Sequence, residues 1–311
     1  MKIIRSAREL QTGGRKLSLA IGFFDGVHLG HQQVIRQTIL DAQQQEGLSL
    51  VVTFDRHPAE VIAPDRVPPL IYNRQQRVDA IGSLGADALL LLAFDEAFSQ
   101  VDGESFVRGL VRDLGRIHSI CVGENFVFGH KRSGDVALLR RLGKELRFTT
   151  HGLEAVSLGN AAVSSTRIRE TIRQGELDLA GQLLGRDYSL AGTIIAGDQV
   201  GRKLGYPTAN LDVIGRATPP HGVYAAHARV AGKTWRAAVN IGLRPTLREA
   251  RPTLHVEAHL LDFTGEIYGQ PMELSFVQKL RDEQRFPSFD ALKAQIQTDI
   301  RQVRELFAAC E

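Results

Sequence analysis

The sequence is short of several things, and each shortage removes a class of protein. It holds only two cysteines, Cys121 and Cys310, in 311 residues, and no metal-ligand spacing joins them. A disulfide framework and a zinc site are therefore not indicated, and a reducing cytoplasm is the expected setting. No run of about 20 apolar residues occurs, so no helix is expected to cross a membrane, and no membrane partner is expected. The opening "MKIIRSAREL" lacks the apolar core of a signal peptide. Net charge is only +3, with Lys and Arg scattered rather than striped, which gives no electrostatic footprint for nucleic acid. The single tryptophan, Trp235, sits alone in an expected hairpin. A barrel that stacks bases on aromatic side chains needs more than that. Low-complexity tracts and internal repeats are also missing.

What remains is a globular composition, 43% hydrophobic and 23% charged, long enough for two domains. Small molecules are the expected partners, and a homo-oligomer is compatible with the sequence. Residues 17 to about 160 alternate apolar runs ("LSLAIG", "LSLVVTF", "ADALLLLAF", "IHSICVG") with helical patterns. Runs apolar on both faces suit central parallel strands covered on both sides, so a doubly wound α/β domain is expected. Residues 30 to 46 put Val34, Ile35, Thr38, Ile39 and Ala42 on one helical face.

The character changes near residue 186. From "YSLAGTIIAG" onward, short alternating strands are joined by turns, with a hairpin expected at Ala231-Gly232-Lys233. A small β-barrel is expected there. It is followed by an amphipathic helix starting at Ser288 and repeating Leu292, Ile296, Ile300, Val303 and Phe307. Residues 164 to 185 read as two short helices split at Gly175. The expected domains are 1–185, including that connector, and 186–311.

Three stretches of the first half could carry chemistry. "GFFDGVHLGHQ" (22 to 32) falls at the first strand-to-helix turn, where open parallel sheets often hold phosphate on a helix N-terminus. Gly22, Gly26 and Gly30 can let backbone approach a ligand there, and His28 and His31 can donate to phosphate oxygens. "SSTRIR" places Ser164, Ser165 and Thr166 at a helix start with Arg169 one turn in. Read alone, it is a helix cap. "GENFVFGHKRSGD" (123 to 135) follows an expected strand and is either an exposed turn or a binding loop.

In order, "GFFDGVHLGH", "TFDRHP", "GENFVFG" and "SSTRIR" resemble the adenylyltransferase module of the bacterial bifunctional riboflavin kinase/FAD synthetase family, within the H-x-G-H nucleotidyltransferases. The resemblance implies that ATP lies over Gly22, Phe23, Asp25, Gly26, His28, Gly30 and His31. It puts Ser164, Ser165, Thr166 and Arg169 on the triphosphate, and implies that His57, Pro58, Asn125 and Phe128 border the flavin. Members of this family often carry Asn where this chain has Phe23 and Asp where it has Asn125. Adenylyl transfer rests on positioning and charge stabilisation, so His28 and His31 read as clamps on the nucleotide rather than as bases.

In the second half, "GDQVGRKLGYPTANL" (197 to 211) interleaves Gly197, Gly201 and Gly205 with Arg202 and Lys203, as a loop folding over phosphates would. It is also what a solvated turn looks like. Thr208 and Asn210, two residues apart on an extended chain, can address one hard cation. In "TLHVEAHLLDF", Val256, Ala258 and Leu260 alternate with His255, Glu257 and His259. Glu257 is then either a solvent-face carboxylate or a general base at a barrel mouth, and the two histidines are expected at the surface.

This half resembles riboflavin kinase in "GRKLGYPTAN", "GVYAA", "NIGLRPT", "VEAHLLDF", "IYG" and "KLRDEQRF". That resemblance implies a six-stranded barrel with Mg2+ held by Thr208 and Asn210 and with Glu257 taking the proton of the riboflavin 5′-hydroxyl. Arg281, Glu283 and Phe286 would close on the flavin. The implied function is a bifunctional enzyme making FMN from riboflavin, then FAD from FMN, with ATP as co-substrate and ADP and pyrophosphate as products. Three other readings differ in their chemistry: an adenylyltransferase whose barrel only binds, a nucleic-acid-binding protein, and a flavin sensor. The last leaves Glu257 without work, and "PTAN" with Glu257 argues against the first.

Overall fold

A computed structural model describes residues 1–197, 201, 204–244 and 253–309. The chain divides into two compact units: Met1–Pro68 with Arg74–Arg167, and Pro69–Asn73 with Ile168–Glu311.

Unit one is built on six strands: β1 (Lys2–Ile4), β2 (Leu17–Ile21), β3 (Leu48–Phe54), β4 (Ala88–Leu92), β5 (Ile117–Gly123) and β6 (Thr149–Leu153). They are parallel throughout, in the order β1-β4-β3-β2-β5-β6. The four apolar runs supply the four central strands. β1 and β6 lie at the edges, where one side of the strand needs no cover, and their short mixed sequences carry no apolar signal.

Alternation along a strand sends Leu19 and Leu50 to one face and Ala20 and Val51 to the other. The first face meets α5 (Gly103–Leu114) and α6 (Val136–Leu146) through Leu110, Leu114, Leu139 and Leu142. The second meets α1 (Leu29–Gln44) and α3 (Arg74–Gly82) through Val34, Ile35, Val78 and Ile81. Each such side chain contributes about 1.5–3 kcal/mol on burial. The remaining short helices are α2 (Ala59–Ile62) and α4 (Glu96–Ser99), and a two-stranded ribbon joins β7 (Ser157–Leu158) to β8 (Ala161–Ala162). Strand order reverses between β2 and β5, and a crevice at such a switch point is where open sheets bind ligands. "GFFDGVHLGH" leaves β2 at that point and "GENFVFG" leaves β5.

Between the regular parts lie α7 (Ser165–Gln174) and α8 (Leu177–Leu184), broken at Gly175, whose φ of +81° suits glycine. Unit two is a closed barrel of β9 (Ser189–Ile195), β10 (Ala209–Asp212), β11 (Gly222–Val230), β12 (Lys233–Arg244), β13 (Thr253–Leu260) and β14 (Pro271–Arg281). All ladders are antiparallel in the order β10-β13-β12-β11-β14-β9, so no strand is left as an edge. The β11–β12 turn has φ of 51° at Ala231 and 74° at Gly232, the two positive values that a tight hairpin needs.

The C-terminal helix Phe289–Ala308 is capped by Ser288, whose Oγ accepts from the Ala291 N–H at 3.2 Å. It seals the barrel wall through Val303, Phe307 and Ile300. The strap Pro69–Asn73 belongs to this unit: Leu70 N–H donates to Gly215 O at 2.8 Å and Ala217 N–H to Leu70 O at 2.9 Å.

Candidate functional sites

Beyond β2 the chain makes a turn with three positive φ values, 58° at Phe24, 76° at Gly26 and 42° at Val27. The value at β-branched Val27 is a strained one, held because Phe24 and Val27 are buried at 3% and 0% exposure. The turn delivers His28 as the N-cap of α1: its Nδ1 accepts from the His31 N–H at 3.4 Å. Nδ1 being the acceptor of that bond, the ring donates through Nε2. The His31 ring stacks on it with centroids 3.6 Å apart.

Gly30 has a reason other than backbone approach to a ligand: a Cβ there would stand 3.3 Å from His28 Cε1. Gly22 is similar, since a Cβ would meet the Phe24 ring at 3.0 Å. The "SSTRIR" stretch joins this turn. Ser164 Oγ caps α7 by accepting from Arg167 N–H at 3.2 Å, and Ser165 Oγ donates to Asp25 O at 3.1 Å. Thr166 is exposed. Arg169 belongs to unit two, where its Nε donates to Pro69 O at 2.8 Å.

Beside the turn, unit one holds a cavity of about 280 Å³ walled by aromatic rings. Phe23, Pro58 and Phe128 line it, together with Phe54, Phe94, Phe98, Phe106 and Phe126. Successive centroids along Phe54, Phe98, Phe106 and Phe128 are 5.7 to 6.0 Å apart, within the range of edge and tilted ring contacts. His57 stands behind Phe23, edge-on at 4.7 Å, and Asn125 is exposed and outside the lining. Sequence reading missed most of the ring wall. Its signal was the spacing Phe94, Phe98, Phe106 in a chain otherwise poor in aromatics.

In unit two, register puts Asn210, Glu257 and Asn240 in one row across three adjacent strands. Val256, Ala258 and Leu260 pack on the opposite face of β13. Glu257 therefore lies on the outer wall, in a cavity of about 330 Å³ closed by the C-terminal helix. Thr208, Asn240, Arg281, Glu283 and Phe286 line the same cavity. Arg281 is held by a buried partner, with Nη2 2.8 Å and Nε 2.9 Å from the Asp299 carboxylate. Glu283 fits because Gly242 faces it, where a Cβ would come within 2.2 Å of Glu283 Oε1. His259 is half-exposed and lines this cavity, its Nδ1 2.9 Å from Pro207 O. His255 is half-exposed too, with its Nε2 buried.

A second cavity of about 490 Å³ shares Thr208 with the first and is bounded by Pro207, Phe263, Ile267 and Tyr268. Phe263 and Tyr268 were not singled out by sequence, although "DFTGEIYG" puts two aromatics in one glycine-bearing turn. The candidate cation ligands pass a test of fit: Asn210 is 8% exposed, and its Oδ1 has no hydrogen-bond partner among the described residues. A Cβ on Gly197 would collide with that side chain at 2.2 Å. Gly201 lines the Glu257 cavity, and Gly205 takes φ of +90°. Arg202 and Lys203 lie outside the described residues. Among those residues no cluster of three or more His, Cys, Asp or Glu could hold a metal, and no helix is long and apolar enough to cross a membrane.

Comparison with known proteins gives the same division. A family model described as FAD synthetase matches residues 11–167, and one described as riboflavin kinase matches 184–307. These are two transferase families, each on its own stretch of chain. A bifunctional riboflavin kinase/FMN adenylyltransferase of Pseudomonas fluorescens is 38% identical over 99% of this chain and 98% of its own. The protein of that name in Escherichia coli K12 is 34% identical over the same shares. A crystal structure of a Streptococcus pneumoniae protein called macrolide-efflux protein superposes with a TM-score of 0.80 at 27% identity, covering 97% of this chain and 98% of that one. The chain belongs to the bifunctional riboflavin kinase/FMN adenylyltransferase family.

Proposed function

We propose that unit two phosphorylates riboflavin and unit one adenylylates the FMN it makes, with a helical connector ending near residue 185 between them. In the first step the riboflavin 5′-hydroxyl attacks the γ-phosphorus of ATP, and ADP leaves. Glu257 takes the hydroxyl proton, and Arg281, Glu283 and Phe286 hold the flavin in the cavity they share with it. The adenosine occupies the adjoining cavity beside Phe263 and Tyr268, so that its phosphates reach Thr208, the residue common to both. Gly197, Gly201 and Gly205 let the backbone approach those phosphates. Thr208 Oγ1 and Asn210 Oδ1 would hold Mg2+, whose charge neutralises the phosphates when bound.

In the second step a phosphate oxygen of FMN attacks the α-phosphorus of a second ATP, and pyrophosphate leaves. His28, through Nε2–H, and His31 stabilise the charge that grows on the phosphates. Ser164, Ser165 and Thr166 hold the triphosphate, and Gly22, Phe23, Asp25 and Gly26 shape the floor beneath the nucleotide. The isoalloxazine lies among the phenylalanines of the aromatic cavity, with His57, Pro58, Asn125 and Phe128 at its border. The observation that carries the two-site reading is the placing of Glu257 in a cavity with Thr208, Arg281 and Phe286.

The reading also puts the enzyme in the cytoplasm, without nucleic-acid or membrane partners and without zinc, and leaves a homo-oligomer compatible. A chromatographic time course of purified protein with riboflavin, ATP and Mg2+ tests it. FMN should appear first and FAD after it. FAD formed only when FMN is supplied would reduce unit two to a binding module.

A further inference from the structure

Arg77 is a charged side chain in an apolar place. It lies on the sheet-facing side of α3 between residues that pack on Ala20, Val51 and Leu89, and only 3% of it is exposed. Burial pushes its guanidinium down to about 10, partly offset by the charge of Asp25, so it is still a cation at neutral pH. A buried cation is costly unless hydrogen bonds satisfy it. Two of its nitrogens are satisfied in a particular way: Nη1 donates to Phe23 O at 3.1 Å and Nη2 to Phe54 O at 2.5 Å. The Phe23 ring lies 4.1 Å below the guanidinium carbon, and Nε has no hydrogen-bond partner among the described residues.

Both acceptors stand at the carboxyl ends of neighbouring strands. The β2–β3 ladder ends with Ile21 opposite Val52, and Gly22 N–H donating to Val52 O at 3.1 Å is its last bond. Past that point the Thr53 hydroxyl of β3 donates to Phe23 O at 3.0 Å, and one guanidinium spans the Phe23 and Phe54 carbonyls. Phe23 continues directly into the turn that carries His28 and His31, and Phe54 continues into "DRHP" with His57 and Pro58. The rings of Phe23 and Phe54 both wall the aromatic cavity.

We propose that Arg77 is a positioning residue for adenylyl transfer, a fork that sets the spacing between the nucleotide-bearing turn after β2 and the flavin-bordering segment after β3. This rests on the adenylylation reading given above. Arginine is required by geometry: a planar fork can bridge two carbonyls and stack on a ring at once, and an ammonium cannot. Arg77 touches neither substrate. It acts by keeping the acceptor phosphate and the α-phosphorus at reacting distance, where a misplacement of about 1 Å costs about 10²-fold in rate.

The test uses the full-length chain with Arg77→Lys, which keeps the cation but not the fork, and Arg77→Met, which fills the space without a charge. FAD formation from supplied FMN and ATP is measured below the first calorimetric unfolding transition of each variant, with riboflavin phosphorylation followed in the same preparations. Both variants are expected to lose about 10- to 100-fold in kcat for FAD formation, with KM for FMN and ATP changed by less than about threefold. Phosphorylation of riboflavin should stay at the wild-type rate.

A lysine buried here is also easily neutralised, so the Arg77→Lys rate should fall further as pH rises from 7 to 9 while the wild-type rate does not. Wild-type kcat in Arg77→Lys would overturn the inference by showing that charge alone suffices. Recovery of either variant simply on cooling would overturn it in favour of a structural role. A wild-type chain that makes no FAD from FMN would overturn the adenylylation reading itself, an outcome distinct from active variants of an active enzyme.

Discussion

The two cavities proposed for flavin are close in volume, about 280 and 330 Å³, and unlike in chemistry. Rings wall the one in unit one, and no Asp or Glu is among the described residues that line it. The one in unit two holds Glu257, Glu283 and the Arg281–Asp299 pair. The proposed nucleophiles account for the difference. A ribityl hydroxyl must lose a proton as it attacks, so a carboxylate belongs beside it. The FMN phosphate, with a second pKa near 6, is already an anion at neutral pH and needs no base. Its site has only to orient the ring and absorb charge on the leaving pyrophosphate, which phenylalanines and a histidine pair can do.

The comparison breaks first at Glu257. Glu257→Gln should lower riboflavin phosphorylation by about 10²–10⁴-fold, the range for a general base, and leave FAD formation from FMN intact in a coupled chromatographic assay. His28→Ala should do the reverse, reducing FAD formation by about 10²–10³-fold, as loss of one preorganised donor does elsewhere. Phe98→Ala opens the ring wall, and should raise KM for FMN by up to about tenfold while sparing riboflavin phosphorylation in steady-state assays. Gly30→Ala sharpens the reading of the His28 ring. The added Cβ must displace that ring by a few tenths of an ångström, so FAD formation should fall several-fold, well short of the about 10²-fold cost of 1 Å.

The smallest effect concerns Cys121, whose thiol burial pushes up to about 12. It should remain unalkylated by iodoacetamide at pH 8.5 in the native protein, as read by peptide mass spectrometry. Its folded pKa lies above the unfolded value, so its contribution to stability is complete below about pH 9 and should be lost as pH rises toward 12.

Much of this was legible in the sequence because apolar patterning is local. The four doubly apolar runs became the central strands, and Ser288, Gly175 and Ala231-Gly232 marked a cap, a helix break and a hairpin as their backbone preferences require. Edge strands β1 and β6 were not legible, because a strand covered on one side carries half the signal. The motif residues could be listed from the sequence, but the reason for Gly30 could not, since it depends on a His28 ring folded back by its own cap. The ring wall was missed for a related cause: Phe54, Phe98 and Phe128 come from three separate segments, and only the sheet brings their rings together. Glu257 could be placed on a strand face by alternation. Which face the C-terminal helix covers is long-range information, and it turned a choice between solvent and barrel mouth into a wall cavity.

Mixing Glu257→Gln with His28→Ala tests the central claim of two independent sites most directly. With riboflavin, ATP and Mg2+, the first variant alone should make neither product and the second should stop at FMN. An equimolar mixture should restore FAD, as FMN released by one chain is adenylylated by the other. A mixture that still stops at FMN, from two folded variants that each retain their own half-reaction, would contradict independent sites and require FMN to stay within one chain.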